Sequence, residues 1–88
     1  MDFKTIFSLV SNNLKEILRE LEVEEINYNS KLCLLGANSI DMAELIEKTM
    51  EDLGIDVDRF EFYSVANVGE LCDLFFEKYT SYQFNASA

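Results

Sequence analysis

The chain contains no proline, no histidine and only three glycines in 88 residues. With so few chain breakers, a composition 49% hydrophobic and 27% charged suits a compact helical domain better than a loop-rich or disordered one. The missing histidine takes away a common metal ligand and a common general base. Cysteine is also scarce: Cys33 and Cys72 stand in no metal-ligand spacing. Both lie among apolar residues and read as reduced packing thiols, and no metal site is expected. Positive charge is the next shortage. Seven Lys and Arg face seventeen Asp and Glu, a formal net charge of −10. That balance disfavours nucleic acid and anionic membrane and favours a basic protein surface as partner. No apolar run approaches the roughly 18 residues of a membrane span, and Met1-Asp2-Phe3-Lys4 lacks the features of a secretory signal. A soluble, cytoplasmic monomer is the expectation.

What is present is helical periodicity. Phe3, Ile6, Phe7, Val10, Leu14, Ile17, Leu18 and Leu21 recur at spacings of three and four, predicting a first helix over 3–21 with Asp2 as its cap. Residues 22–38 break the period and predict a long ordered loop, whose apolar run Leu32-Cys33-Leu34-Leu35 is pinned to the core. A second helix is predicted over 39–53, burying Met42, Leu45, Ile46, Thr49 and Leu53 and ending at Gly54 in a left-handed turn. Ile55 to Asp58 alternates apolar and acidic residues but has no partner strand in the sequence, so it reads as an extended linker. Phe60–Ser64 predicts a short helix. Asn67 with Glu70 three residues later resembles a capping box opening the last helix, whose inward stripe is Val68, Leu71, Cys72, Phe75 and Tyr79. One domain over 1–79 is expected, followed by a disordered tail over 80–88. The fold class is all-α: a small four-helix bundle of three main helices, one short helix and a long first loop.

The chemistry-bearing stretch is Leu35-Gly36-Ala37-Asn38-Ser39-Ile40-Asp41-Met42-Ala43-Glu44-Leu45, in which a glycine-containing turn delivers Ser39 to the start of a helix. A helix amino terminus presents unbonded N–H groups and partial positive charge, so a phosphodiester on Ser39 is favourably placed. Serine is also a common helix cap, and that bland role accounts for Ser39 taken alone.

The stretch resembles the modification site of acyl and peptidyl carrier proteins, Leu-Gly-x-Asp-Ser-Leu followed by an acidic helix. The likeness extends over Phe3–Tyr79 in length, acidity and helix order. It implies that a phosphopantetheinyl transferase moves 4′-phosphopantetheine from coenzyme A onto Ser39. It further implies that acyl groups ride on the arm as thioesters between a ketosynthase, an acyltransferase or related enzymes. The resemblance implies too that the carrier supplies no catalytic residue of its own and is acted on by separate enzymes. The chain departs from the pattern at Asn38, where aspartate is usual: asparagine caps equally well but brings no charge, which alters what the transferase meets. Gly36-Ala37-Asn38-Ser39 with Asp41, Ala43 and Glu44 is similar to stand-alone carriers of polyketide pathways, notably those serving β-branching. Fatty-acid and peptidyl carriage are the competing assignments.

The second helix carries Asp41, Glu44, Glu47, Glu51 and Asp52 against a single cation, Lys48. Like charges at helical spacing destabilise an isolated helix by a few tenths of a kcal/mol per pair, about 0.2–0.5. The resemblance gives them a use as a docking face, with Ile40 and Ala43 as apolar contacts and Asp41, Glu44, Glu47 and Glu51 meeting basic residues of partner enzymes. An ordinary solvated face is the alternative. Two other classes of function compete with this one. Asp52, Asp56 and Asp58 fail the calcium-loop pattern, because Val57 and Tyr63 occupy the positions that need glycine and glutamate. An unmodified acidic helical module that docks onto basic partners remains open, and it predicts no arm on Ser39.

Overall fold

The computed structural model describes residues 1–21 and 26–87, with side chains given through residue 84. Three α-helices and one 3-10 helix follow in order: α1 Phe3–Ile17, α2 Ser39–Leu53, the 3-10 helix Arg59–Phe62, and α3 Val68–Ser87. The described residues form no strand; a single antiparallel bridge joins Lys31 to Asn67. The expected all-α class and helix order are therefore present, and Ile55–Asp58 belongs to no helix or strand, with Asp58 in extended geometry.

Asp2 caps α1, its Oδ1 accepting from Thr5 N at 2.8 Å. The helix is shorter than its apolar stripe predicts. Leu18 leaves helical geometry at φ −105°, ψ 81°, yet Leu18 is half-buried and Leu21 buried. Apolar spacing thus identified inward residues correctly but carried the helix one turn too far, since a chain leaving a helix still buries leucine. Of the long loop that follows, residues 22–25 lie outside the described residues.

The core is built from Ile6, Val10 and Leu14 of α1, Leu45, Ile46 and Leu53 of α2, and Val68, Leu71, Cys72 and Phe75 of α3. Phe62 completes it by stacking on Phe75, with ring centroids 4.4 Å apart. Asn13 is a polar member: buried, it donates to Thr49 Oγ1 at 3.2 Å and Asp52 Oδ2 at 2.9 Å, tying α1 to α2. Pairing makes such burial tolerable. Burial, with Asp73 a smaller influence, pushes the Cys72 thiol up to about 12, which keeps it unreactive near neutral pH.

The loop before α2 is fastened to the start of α3. Gly69 N donates to Tyr28 O at 2.8 Å, Val68 N to Ser30 O at 2.9 Å and Leu32 N to Ala66 O at 3.2 Å. The Tyr28 hydroxyl donates to Asp73 Oδ2, and this bond, with partial desolvation second, raises the tyrosine above its usual range. Residues 28–32 are therefore held at both backbone and side-chain level.

The start of α3 is close to the predicted capping box but differs in one bond. Asn67 Oδ1 accepts from Glu70 N at 2.8 Å, whereas the Glu70 carboxylate accepts from Ala66 N at 2.9 Å, one residue before the cap. The helix then continues through Ser87, past the end predicted at Tyr79. The apolar period fades there, but residues 80–87 hold no proline or glycine to stop the backbone ladder.

Candidate attachment and docking site

The turn preceding α2 is built by backbone bonds. Leu35 N donates to Lys31 O at 3.1 Å, Gly36 N to Cys33 O at 3.2 Å and Ala37 N to Leu32 O at 3.2 Å. Gly36 sits at φ 100°, a conformation that disfavours side chains, so glycine is what lets the chain reverse here. Within this turn Leu32 is buried and Leu35 half-buried, but Cys33 is exposed and Leu34 is 79% exposed. The expectation that the whole apolar run packs inward, with Cys33 as a packing thiol, is corrected: successive tight turns point adjacent side chains in different directions.

Asn38, not Ser39, is the cap of α2. Its Oδ1 accepts from Asp41 N at 2.8 Å, and the Asp41 carboxylate accepts from Asn38 N at 3.1 Å, a complete capping box. An uncharged residue here thus does the structural work that aspartate does. Ser39 becomes the first helical residue; it is exposed, and its hydroxyl bonds to no described residue. The first intrahelical bond, Met42 N to Asn38 O at 2.9 Å, leaves the Ser39 and Ile40 N–H groups ahead of it, where an anion is favoured. The bland role of Ser39 as a helix cap is thereby taken by its neighbour.

Beside Ser39 runs an open groove of about 590 Å³, lined by Leu32, Cys33, Met42, Tyr63 and Val65 among others. Its walls come from the first loop, α2 and the segment after the 3-10 helix, elements far apart in sequence. No period or motif marked Tyr63 or Val65 as neighbours of Ser39. An exposed serine hydroxyl, free N–H groups and an adjacent largely apolar groove fit a phosphodiester-linked arm with apolar and amide portions.

The proposed docking residues separate into two groups. Ile40, Glu44, Glu47 and Glu51 lie at spacings of four, three and four, and all are exposed; Ile40 is 77% exposed. They form one stripe leading away from Ser39. Asp41 and Ala43 are half-buried, and Asp41 is engaged in the cap. Glu47 is paired with Arg59 Nη1 at 3.2 Å, and Lys48 with Glu16 at 3.3 Å. Among the rejected calcium ligands, Asp58 caps the 3-10 helix by accepting from Phe60 N at 3.0 Å, and Asp52 accepts from Asn13. No cluster of three potential metal ligands exists among the described residues, and no described helix is long and apolar enough to cross a membrane.

Residues 8–75 match the family model described as the phosphopantetheine attachment site. The chain is 37% identical over 81 residues to the polyketide biosynthesis acyl-carrier-protein AcpK of Bacillus subtilis (strain 168), covering 92% of this chain and 99% of the relative. Among solved structures it is similar to the acyl carrier in the crystal structure of the curacin biosynthetic pathway HMG synthase in complex with acetyl donor-ACP. That match has a TM-score of 0.79 and 35% identity, and covers 85% of this chain and 96% of the other. A family model across most of the chain, a relative matched over nearly its whole length and a shared helical fold agree: the chain belongs to the phosphopantetheine-bearing acyl carrier proteins.

Proposed function

We propose that Ser39 bears the arm and that this cytoplasmic, monomeric carrier serves polyketide biosynthesis at a β-branching step, handing acyl groups to separate enzymes and doing no chemistry itself. The observation that carries the assignment is the division of labour at the start of α2: Asn38 makes the cap, and the adjacent serine is left exposed and unpartnered. The pathway is supported by likeness to a polyketide carrier and to an acetyl-donor carrier bound to an HMG synthase. When attached, 4′-phosphopantetheine supplies a thiol that holds acyl groups as thioesters. The chain's residues anchor and present it. Asn38 and Asp41 fix the helix start, the unbonded Ser39 and Ile40 N–H groups there would favour the arm's phosphate, and the groove would give the arm apolar cover. A tether of this kind raises local concentration to roughly millimolar, so weak docking suffices.

Incubation with coenzyme A and a broad-range phosphopantetheinyl transferase is expected to add one arm per chain. In a tryptic digest the added mass falls on peptide 32–48, in which Ser39 is the lone serine. Mass on another peptide, or none, overturns the assignment; none at all is what an unmodified acidic module predicts.

Partner enzymes dock on the stripe from Ile40 to Glu51, where negative charge meets lysine and arginine. Glu44→Lys is expected to slow transfer by the transferase severalfold at low salt, with the deficit shrinking as salt rises and helicity unchanged. Equal rates at low salt would remove the docking assignment.

A further inference from the structure

Arg59 intrudes on the acidic stripe. Its Nη1 lies 3.2 Å from Glu47 Oε1, and its guanidinium carbon is 5.6 Å from the centre of the exposed Phe60 ring. Phe60 in turn contacts Tyr63, ring centroids 5.6 Å apart, and Tyr63 lines the groove beside Ser39. The other cations near α2 are differently placed. Lys48 is committed to Glu16, and Glu44 shares a hollow with Lys48 and Arg19 without forming an ion pair in the described residues. Glu44 and Glu51 thus face solvent without a protein partner, whereas Glu47 has one.

Building on the docking reading above, we propose that Arg59 is an internal competitor for the cation that a basic partner enzyme places on Glu47. An intact Glu47–Arg59 pair presents no net charge at the middle of the stripe. A partner therefore engages Glu44 and Glu51 first and gains Glu47 only by displacing a guanidinium already seated there. Both members are about half exposed, so the pair is weak enough to be displaced and strong enough to register. Arg59 lies on the 3-10 helix, outside the helix that bears the serine, and selects for partners able to complete that exchange.

The test is a double-mutant cycle of Arg59→Gln and Glu47→Gln, read as the KM of the phosphopantetheinyl transferase for the apo carrier at low salt, with thermal unfolding recorded for each variant. Arg59→Gln is expected to lower KM by about 1.4- to fivefold, the range of exposed ion-pair energies expressed as a ratio. Glu47→Gln is expected to raise KM more in the Arg59→Gln background than in the native chain, and the difference is expected to vanish at high salt. An increase in KM on Arg59→Gln means that Arg59 itself contacts the partner, and additive effects mean that the two residues do not compete; either overturns the proposal. Glu44→Lys in the same assay separates the two levels. If it slows transfer while the cycle is additive, only the competitor fails; if it has no effect, the docking face and the competitor fail together.

Discussion

Ser39→Ala is expected to abolish addition of the phosphopantetheine arm while leaving the fold within about 0.5 kcal/mol of the parent, the usual range for an exposed residue without partners. The two halves of this result have separate causes. Modification needs a hydroxyl oxygen at the helix start, and alanine has none. Stability does not need it, because the cap is Asn38, whose Oδ1 holds Asp41 N at 2.8 Å, and alanine is favourable at a first helical position. Intact mass after incubation with coenzyme A and the transferase reads the first half, and thermal unfolding reads the second. The contrasting variant is Asn38→Ala, whose lost capping bond is worth about 1 kcal/mol. A substantial loss of stability in Ser39→Ala would mean that the serine has a structural role the hydrogen bonds do not show, and an arm still added would place the attachment elsewhere.

That separation was only half legible in the sequence. The turn, the serine and the acidic helix could be read directly, because Gly36 and Gly54 punctuate the chain and the apolar residues between them keep a strict helical period. Which of Asn38 and Ser39 caps the helix could not, since both residue types cap well and the choice depends on one backbone angle. The groove was invisible for another reason: Tyr63 and Val65 line it with Ser39 only once the chain folds back, with Phe62 of the 3-10 helix stacked on Phe75. Surface pairing was hidden in the same way. Glu44, Glu47 and Glu51 are equivalent on a helical projection, and only the path of the chain through Asp58 brings Arg59 over Glu47 alone. Periodicity reports which residues face inward, and it is silent on where an exposed cation comes to rest.

A second large effect is expected far from the serine, at Gly69. An alanine Cβ built there lies 2.3 Å from Cγ of Tyr28 and 2.4 Å from both Cδ atoms, overlapping the root of a ring that cannot swing away at its tip. The ring is also held from the far side, by the bond from its hydroxyl to Asp73 and by contact with Phe3 at 6.1 Å between centroids. Two opposing terms set the outcome. Alanine within a helix gains up to about 1 kcal/mol over glycine, while overpacking at a tight contact costs about 1–3 kcal/mol. Overlap this deep favours the upper end of the penalty, so Gly69→Ala is expected to destabilise the chain by about 2 kcal/mol, a fall in Tm of roughly 8–16 °C for a domain of this size. The sign reverses when the ring is removed: in a Tyr28→Ala background the helix gain is unopposed, and Gly69→Ala becomes neutral or stabilising. Because Tyr28 O and Ser30 O accept from Gly69 N and Val68 N, forcing the ring away also loosens the loop that leads into the Asn38 cap. Slower arm addition to Gly69→Ala, recovered in the double variant, is the expected functional echo. A Gly69→Ala chain as stable as the parent would show that Tyr28 does not pack on this glycine in solution.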